Sequence, residues 1–238
     1  MDPRSKPVQQ KARRSAPIHA EAMQKEVERL LQEGAIRELH YSTWLSNTVV
    51  VKKKNGKWRV CVDFTNLNQA CPKDPFPLPK IDQLVDAIVG LDQMSFLDAF
   101  QGYHQIALST KDREKTAFIT PLGIYCYKVI PFSLKNAGVT YQRMVTKMFK
   151  DQIGRTMEIY IDDMVVKSKS SQNHLEDLME TFRTLRLHKL RLNTSKCVFR
   201  VGFGKFLGFI VSHRSIEVNP DQIKAIQELK APRIHKEV

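Results

Sequence analysis

Hydrophobic and polar positions change period several times along the chain. From Glu21 the apolar residues Met23, Val27, Leu30 and Leu31 recur at helical spacing, and Gly34 predicts the stop. The period then shortens to two. Residues 48–54 run into Asn55-Gly56, the preferred pair for a type I′ turn, because both residues tolerate positive φ. In the return strand Trp58, Val60, Val62 and Phe64 alternate with Lys57, Arg59, Cys61 and Asp63, which predicts one apolar and one largely polar face. Pro72, Pro75, Pro77 and Pro79 predict an extended connection, neither helix nor central strand. Ile81, Leu84, Val85 and Ile88 predict a short helix ending near Gly90. Residues 94–98 read as a strand, and 103–108 as a second extended piece after a turn at Gly102. Strands are expected over 116–120 and 124–130, joined through Pro121-Leu122-Gly123. A helix over about 135–149 follows from Ala137, Tyr141, Met144, Val145 and Met148.

Residues 157–166 set Tyr160-Ile161-Asp162-Asp163 between apolar, β-favouring runs. The pattern predicts strand, tight turn, strand, with two adjacent carboxylates at the tip. Aspartate is also a common turn residue, so the motif alone specifies little. Leu175, Leu178, Met179, Phe182 and Leu185 mark one face of a longer helix. Short strands are expected around 197–199 and 206–211, and Asn219-Pro220 opens a last helix. Strands and helices alternate without the regular spacing of a doubly wound sheet, so the expected class is α+β, mainly antiparallel. Pro3, Pro7 and Pro17 among basic residues predict a flexible lead-in over 1–18. The expected organisation is a lead-in and helix over 1–45, a main body over 46–212, and the start of a further segment with a terminal helix over 213–238.

Composition narrows the partner. The chain has 238 residues, with 38 Lys+Arg against 25 Asp+Glu and a net charge of +13, which favours a polyanion such as nucleic acid. Cys61, Cys71, Cys126 and Cys197 lack Cys-x-x-Cys or zinc-finger spacing and read as reduced thiols; the histidines form no metal pattern. No apolar run approaches the ~20 residues of a membrane span. The basic N-terminus lacks the apolar stretch of a secretory signal, so an intracellular location without membrane contact is expected.

A third carboxylate gives the Asp162-Asp163 tip its chemistry. Asp98 ends an apolar strand, where an aspartate is ordinarily a turn or cap residue. If it met the acidic pair, three carboxylates would repel one another unless cations neutralised them. Mg²⁺ is the expected ion, with Mn²⁺ as a substitute, and two such ions would serve phosphoryl transfer. By this logic the trio serves a polymerase or a nuclease equally well.

Several separately spaced motifs then decide the family. The chain resembles the reverse transcriptase domain of a long-terminal-repeat retroelement, most like plant elements of the Ty3/gypsy class. Trp58-Arg59-Val60-Cys61-Val62-Asp63-Phe64 with Leu67-Asn68 resembles the fingers motif, and residues 97–106, from Leu97-Asp98 through Gly102-Tyr103-His104-Gln105-Ile106, the first palm motif. Pro131-Phe132-Ser133-Leu134-Lys135-Asn136-Ala137 resembles the second and Tyr160-Ile161-Asp162-Asp163 the third. Leu192-Asn193, Lys196-Cys197 and residues 206–211 resemble the later palm and primer-grip motifs.

The resemblance implies a right-hand polymerase of fingers and palm with a ferredoxin-like antiparallel palm sheet, the thumb incomplete or absent. Asp98, Asp162 and Asp163 would be metal-binding catalytic carboxylates. Lys52, Lys53 and Arg59 would grip the incoming deoxynucleoside triphosphate, and backbone amides at Gln101 and Gly102 would bind its phosphates. Tyr103 would be the sugar gate, and Phe132 and Ser133 would line the nucleotide pocket. Tyr160, Gly208 and Phe209 would hold the primer end. Implied partners are an RNA/DNA template-primer and other Pol domains, RNase H and integrase, in the cytoplasm, a virus-like particle or the nucleus. Trp58 could stack on a base, but its alternation with Val60, Val62 and Phe64 favours packing. Ser133 and Ser215 stand where the family has glycine and Thr194 where it often has proline. These departures keep open an inactive remnant that binds nucleic acid, and a positive φ at Ser215 would cost ~1 kcal/mol or more.

Overall fold

Proline's fixed φ suits a first helical turn, and helix α1 (Pro17–Gln32) accordingly starts at Pro17, ahead of the first apolar position. The computed structural model describes residues 4–53, 56–170 and 172–229. In chain order the strands are β1 (Ile36–Glu38), β2 (Ser46–Lys52), β3 (Trp58–Val62), β4 (Gln93–Asp98), β5 (Phe118–Thr120), β6 (Gly123–Tyr127), β7 (Met157–Tyr160), β8 (Asp163–Ser168), β9 (Val198–Val201), β10 (Phe203–Phe206), β11 (Phe209–Ser212) and β12 (Ile216–Val218). The remaining helices are α2 (Thr65–Ala70), α3 (Ile81–Asp86), α4 (Thr110–Arg113), α5 (Ala137–Met148), α6 (His174–Leu187) and α7 (Pro220–Gln227). Among the described residues no helix is long and apolar enough to cross a membrane.

The chain divides into two compact units, Met1–Phe76 with Gln101–Tyr141 and Pro77–Phe100 with Gln142–Val238. Each unit is assembled from separate stretches of chain that no local signal links.

The first unit holds a five-stranded sheet in the order β1-β6-β5-β2-β3. The predicted hairpin pairs Thr48 with Val62 through Lys52 with Trp58; Gly56 takes φ +80°, while Lys54 and Asn55, the other part of the expected turn, lie outside the described residues. Val27, Leu30, Trp44, Val62, Phe64, Phe118 and Tyr127 form its core. Trp58 packs edge-on against His19, 5.0 Å between centroids, as its alternation implied. The lead-in is not free along its length. The Gln10 backbone N–H donates to Leu45 O at 2.9 Å, and its side chain bonds Asn47 and Asn66, so a polar side chain supplies an anchor where composition predicts flexibility.

Local readings change: the strand expected over 206–211 is broken at Leu207-Gly208, between β10 and β11. The segment 103–108 is not extended throughout: Gln101 turns left-handed (φ 47°, ψ 50°) and Gly102–Gln105 forms a 3₁₀ helix. Pairing resumes only at Ala107, opposite Val129. Helix α2 was hidden in the polar run after Phe64, yet its signal is Asp63, whose carboxylate accepts bonds from the Thr65 N–H and hydroxyl at 3.2 and 2.6 Å.

The second unit carries the antiparallel sheet β7-β8-β4-β9 and a three-stranded sheet β10-β11-β12. Residues at i and i+2 on a strand share a face. One face of β4 and β8 therefore carries Phe96 and Val165, packed with Leu84, Val85, Ile88, Phe206 and Val211. Gly204 on β10 lies so close that an added Cβ would fall 2.1 Å from the Phe96 ring, which excludes any side chain there.

Candidate active site

Register decides where the acidic side chains go. Strands β4 and β8 pair antiparallel from Gln93 opposite Ser168 to Asp98 opposite Asp163. Directly opposed residues present their side chains on one face, with Cβ atoms ~5 Å apart. Tyr160 pairs with Asp163 across the β7–β8 hairpin, leaving Ile161 and Asp162 as a two-residue loop. The Ala99 N–H lies 3.4 Å from Asp162 O, which ties the tip to the end of β4. Asp98, Asp162 and Asp163 are thus brought together.

Their electrostatics are those of crowded like charges. Burial first, then the neighbouring Asp98 and Asp163, pushes the Asp162 carboxyl up to about 6; burial and Asp98 also raise Asp163. Asp162 Oδ1 is buried without a hydrogen-bond partner, an orphaned acceptor that fits a cation. Lys196, which sequence reasoning placed in a motif without a role, extends its ammonium to 3.4 and 3.2 Å from the two Asp98 oxygens. No three His, Cys, Asp or Glu side chains among the described residues are already gathered into a metal-binding group. Mg²⁺ needs one or two carboxylates together with substrate phosphates rather than an all-protein cage. The donor set therefore fits a divalent ion.

The loop is strained. Ile161 sits at φ +54°, a conformation that β-branched residues rarely adopt and that hairpin loops usually assign to Gly or Asn. Gln142 on α5, 1% exposed, compensates: its Oε1 accepts the Ile161 N–H at 2.7 Å and its amide donates to Ile159 O at 3.3 Å. The sequence held no signal for this beyond a polar residue on an apolar helix face. Gln142→Leu is expected to leave the Ile161 N–H unsatisfied, costing about 1–3 kcal/mol in urea unfolding. Unchanged stability would show that the clamp does not hold the tip.

Tyr160, beside the acidic pair, packs with Leu207 and Phe209 against the apolar cluster of this unit. Gly208 takes φ +89°, and its carbonyl accepts the Asn219 N–H at 3.2 Å.

The candidate nucleotide residues lie in the first unit. Arg59, Phe132 and Ser133 line a cavity of about 310 Å³ together with Glu26, Cys61, His104 and Tyr127. Tyr103 stands 6.1 Å from Phe132 and 5.7 Å from Tyr141, ring to ring. Gln101 reaches Glu33 at 3.3 Å and His104 Nδ1 at 3.2 Å; Gly102 is buried at the start of the 3₁₀ turn. Lys52 and Lys53 do not line the cavity. Both are exposed, and the Lys52 ammonium lies 5.9 Å from the Trp58 ring centroid. His104 is an addition to the predicted set, and burial holds its imidazole below the usual range. Ser133 is left-handed at φ +79° whereas Ser215 is not; the Ser215 hydroxyl instead bonds Ser212 and Glu217. The cost expected at Ser215 therefore falls at Ser133.

Comparison with known proteins identifies the family and the fold. The family model described as reverse transcriptase (RNA-dependent DNA polymerase) matches residues 51–211. The chain is 32% identical over 237 residues to the retrovirus-related Pol polyprotein from transposon 297 of Drosophila melanogaster, covering 98% of this chain and 22% of that polyprotein. It is 34% identical over 213 residues to the corresponding polyprotein from transposon gypsy of the same organism, covering 87% of this chain and 20% of the relative. The Tf2-3 transposon polyprotein of Schizosaccharomyces pombe is 29% identical over 222 residues, covering 93% of this chain and 17% of the relative. The chain thus spans about a fifth of these relatives. Among solved structures, the foamy viral protease-reverse transcriptase in complex with an RNA/DNA hybrid superposes with a TM-score of 0.86 at 20% identity, covering 98% of this chain and 31% of that one; this establishes the polymerase fold of fingers and palm. Members of the family generally use divalent metal ions. With its family model matched over most of the chain, its relatives at about a third identity and its fold shared, the chain belongs to the reverse transcriptase family of long-terminal-repeat retrotransposons.

Proposed function

We propose that this chain is the RNA-directed DNA polymerase core of a retrotransposon Pol polyprotein, extending a primer 3′-hydroxyl with deoxynucleoside triphosphates. The observation that carries the reading is the register that sets Asp98 opposite Asp163 with Asp162 at the adjoining tip. Two Mg²⁺ ions, or Mn²⁺ in their place, held by these carboxylates would neutralise them, acidify the primer hydroxyl and stabilise the leaving pyrophosphate. Arg59 contributes a planar fork suited to bidentate binding of triphosphate oxygens. The Tyr103 ring, by the family's logic, excludes a ribose 2′-hydroxyl. Tyr160, Gly208 and Phe209 steady the primer terminus. The net charge of +13 favours a template-primer duplex, and the related foamy viral enzyme is known in complex with an RNA/DNA hybrid. RNase H and integrase domains of the same polyprotein, within an intracellular virus-like particle, complete the proposed setting.

Primer extension on an RNA template with Mg²⁺ tests the reading: labelled primer is expected to lengthen, and binding to weaken steeply with salt. Cleavage without extension would support a nuclease; retained salt-sensitive binding without extension would support a remnant. One observation favours impaired activity, the left-handed Ser133 beside Phe132. Ser133→Gly is expected to stabilise the fold by about 1 kcal/mol and to raise extension activity. A melting temperature that does not rise would remove strain at Ser133 as an explanation for weak activity.

A further inference from the structure

Beneath the sheet, on the face opposite Asp98 and Asp163, lies a buried polar chain that the polymerase reading does not use. His174, the first residue of α6, is 0% exposed, as is Ser95 on β4, and Ser168 on β8 is 4% exposed. The imidazole bridges the two strands: its Nε2 lies 2.8 Å from Ser95 Oγ and its Nδ1 2.8 Å from Ser168 Oγ. Ser168 Oγ donates to Asp177 Oδ2 at 2.5 Å, and Ser95 Oγ accepts the Arg200 N–H at 3.1 Å.

A hydroxyl has one proton, which orders the whole chain. Ser168 gives its proton to the Asp177 carboxylate and so can only accept from the imidazole, which places the histidine proton on Nδ1. Nε2 is then a bare acceptor, satisfied by the Ser95 O–H. Each of these groups is paired only in the neutral Nδ1–H form. Imidazolium would bring an N–H against Ser95, whose own proton would then need another acceptor in a fully buried place.

We propose that His174 is a positioning residue for the acidic site. As a neutral Nδ1–H imidazole it fastens β4 to β8, the strands that carry Asp98 and Asp163, and its protonation releases that fastening. The inference rests on the assignment of these aspartates as metal ligands. The charged groups that face His174 are Asp177 on its own helix and Arg200 on β9. Burial, with Arg200 opposing Asp177, holds the imidazole below its ordinary range. A depressed folded-state value means that the contribution is complete above the unfolded pKa of about 6.5 and is lost as pH falls below it.

The test uses the full chain labelled with ¹⁵N-histidine. At pH 7 long-range imidazole correlations are expected to show His174 protonated at Nδ1 and bare at Nε2; an Nε2–H tautomer or an imidazolium would overturn the proposal. Ser168→Ala removes the acceptor of Nδ1–H. It is expected to redistribute the tautomer and to weaken Mn²⁺ binding at the carboxylates, read by electron paramagnetic resonance, by about tenfold. Unchanged Mn²⁺ affinity in a folded Ser168→Ala protein would also overturn it. If that variant does not fold, the wild-type tautomer and its titration still decide. Both readouts need no turnover, so failure of the wild type to extend a primer would count against the polymerase reading alone.

Discussion

Asp162→Asn is expected to abolish primer extension while making the metal-free protein more stable. The amide keeps the shape of the side chain but loses the charge that draws a divalent ion. A fall in kcat of about 10³-fold or more, some 4 kcal/mol of transition-state stabilisation, is the expected size. Stability moves the other way because burial and two neighbouring carboxylates raise the Asp162 pKa to about 6. A carboxyl raised above its ordinary value of 3.8 destabilises the fold whenever it is charged. The penalty is complete above pH 6 and relieved as pH falls from 6 towards 3.8. After allowance for solvent screening, the variant should gain about 1–2 kcal/mol at pH 7.5. That advantage should narrow by pH 4.5. Mg²⁺ should stabilise the wild type more than the variant. Urea titrations at the two pH values, with and without Mg²⁺, measure all of this; equal stability at pH 7.5 would mean that the acidic trio is not crowded in solution.

Lys167→Met is expected to produce the largest loss of stability, about 3–5 kcal/mol, through the fate of the group left behind. Lys167 and Glu158 form an ion pair of 2.6 Å across the β7–β8 hairpin, with side chains only 8% and 6% exposed. The ammonium also donates to Ala87 O at 2.9 Å, just past α3. Neither charge can be rehydrated when its partner is removed, so a single substitution strands a buried charge. Replacing both, as in Glu158→Leu/Lys167→Met, should cost far less than the sum of the single changes, since the pair also bears the desolvation of two ions. A double-mutant cycle by chemical unfolding reads the coupling. Additive losses would show that the two groups do not depend on each other. The pair is distinct from the acidic tip although it shares the hairpin, so Lys167→Met should retain metal-dependent activity at temperatures where it is folded.

Much of the site could be read directly from the residues. Tyr160-Ile161-Asp162-Asp163 announced a hairpin with acids at its tip because flanking β-favouring runs and a two-residue break leave few other local structures. The alternation from Trp58 to Phe64 announced a two-faced strand, and the prolines from Pro72 to Pro79 a connection with no ladder. These are local properties: steric preference, backbone donors and hydrophobic period act within a few residues, so the chain carries them wherever it goes. The left-handed turn at Gln101 and the helix after Asp63 lay at the edge of that reach, since each depends on a single side chain or one unusual φ.

Only the tertiary structure decided which distant groups meet. No local signal in the sequence sets β4 against β8 in the register that opposes Asp98 to Asp163, a meeting that only the family resemblance implied, and a slip of one residue would have turned one acid to the other face. The partnerships of Gln142 with Ile161, Lys167 with Glu158 and His174 with Ser95 and Ser168 span 6 to 79 residues for the same reason. A lone polar residue in an apolar pattern shows that a partner must exist, because burying it unpaired costs too much. Which partner it finds depends on the packing of whole strands and helices, a property of the assembled chain.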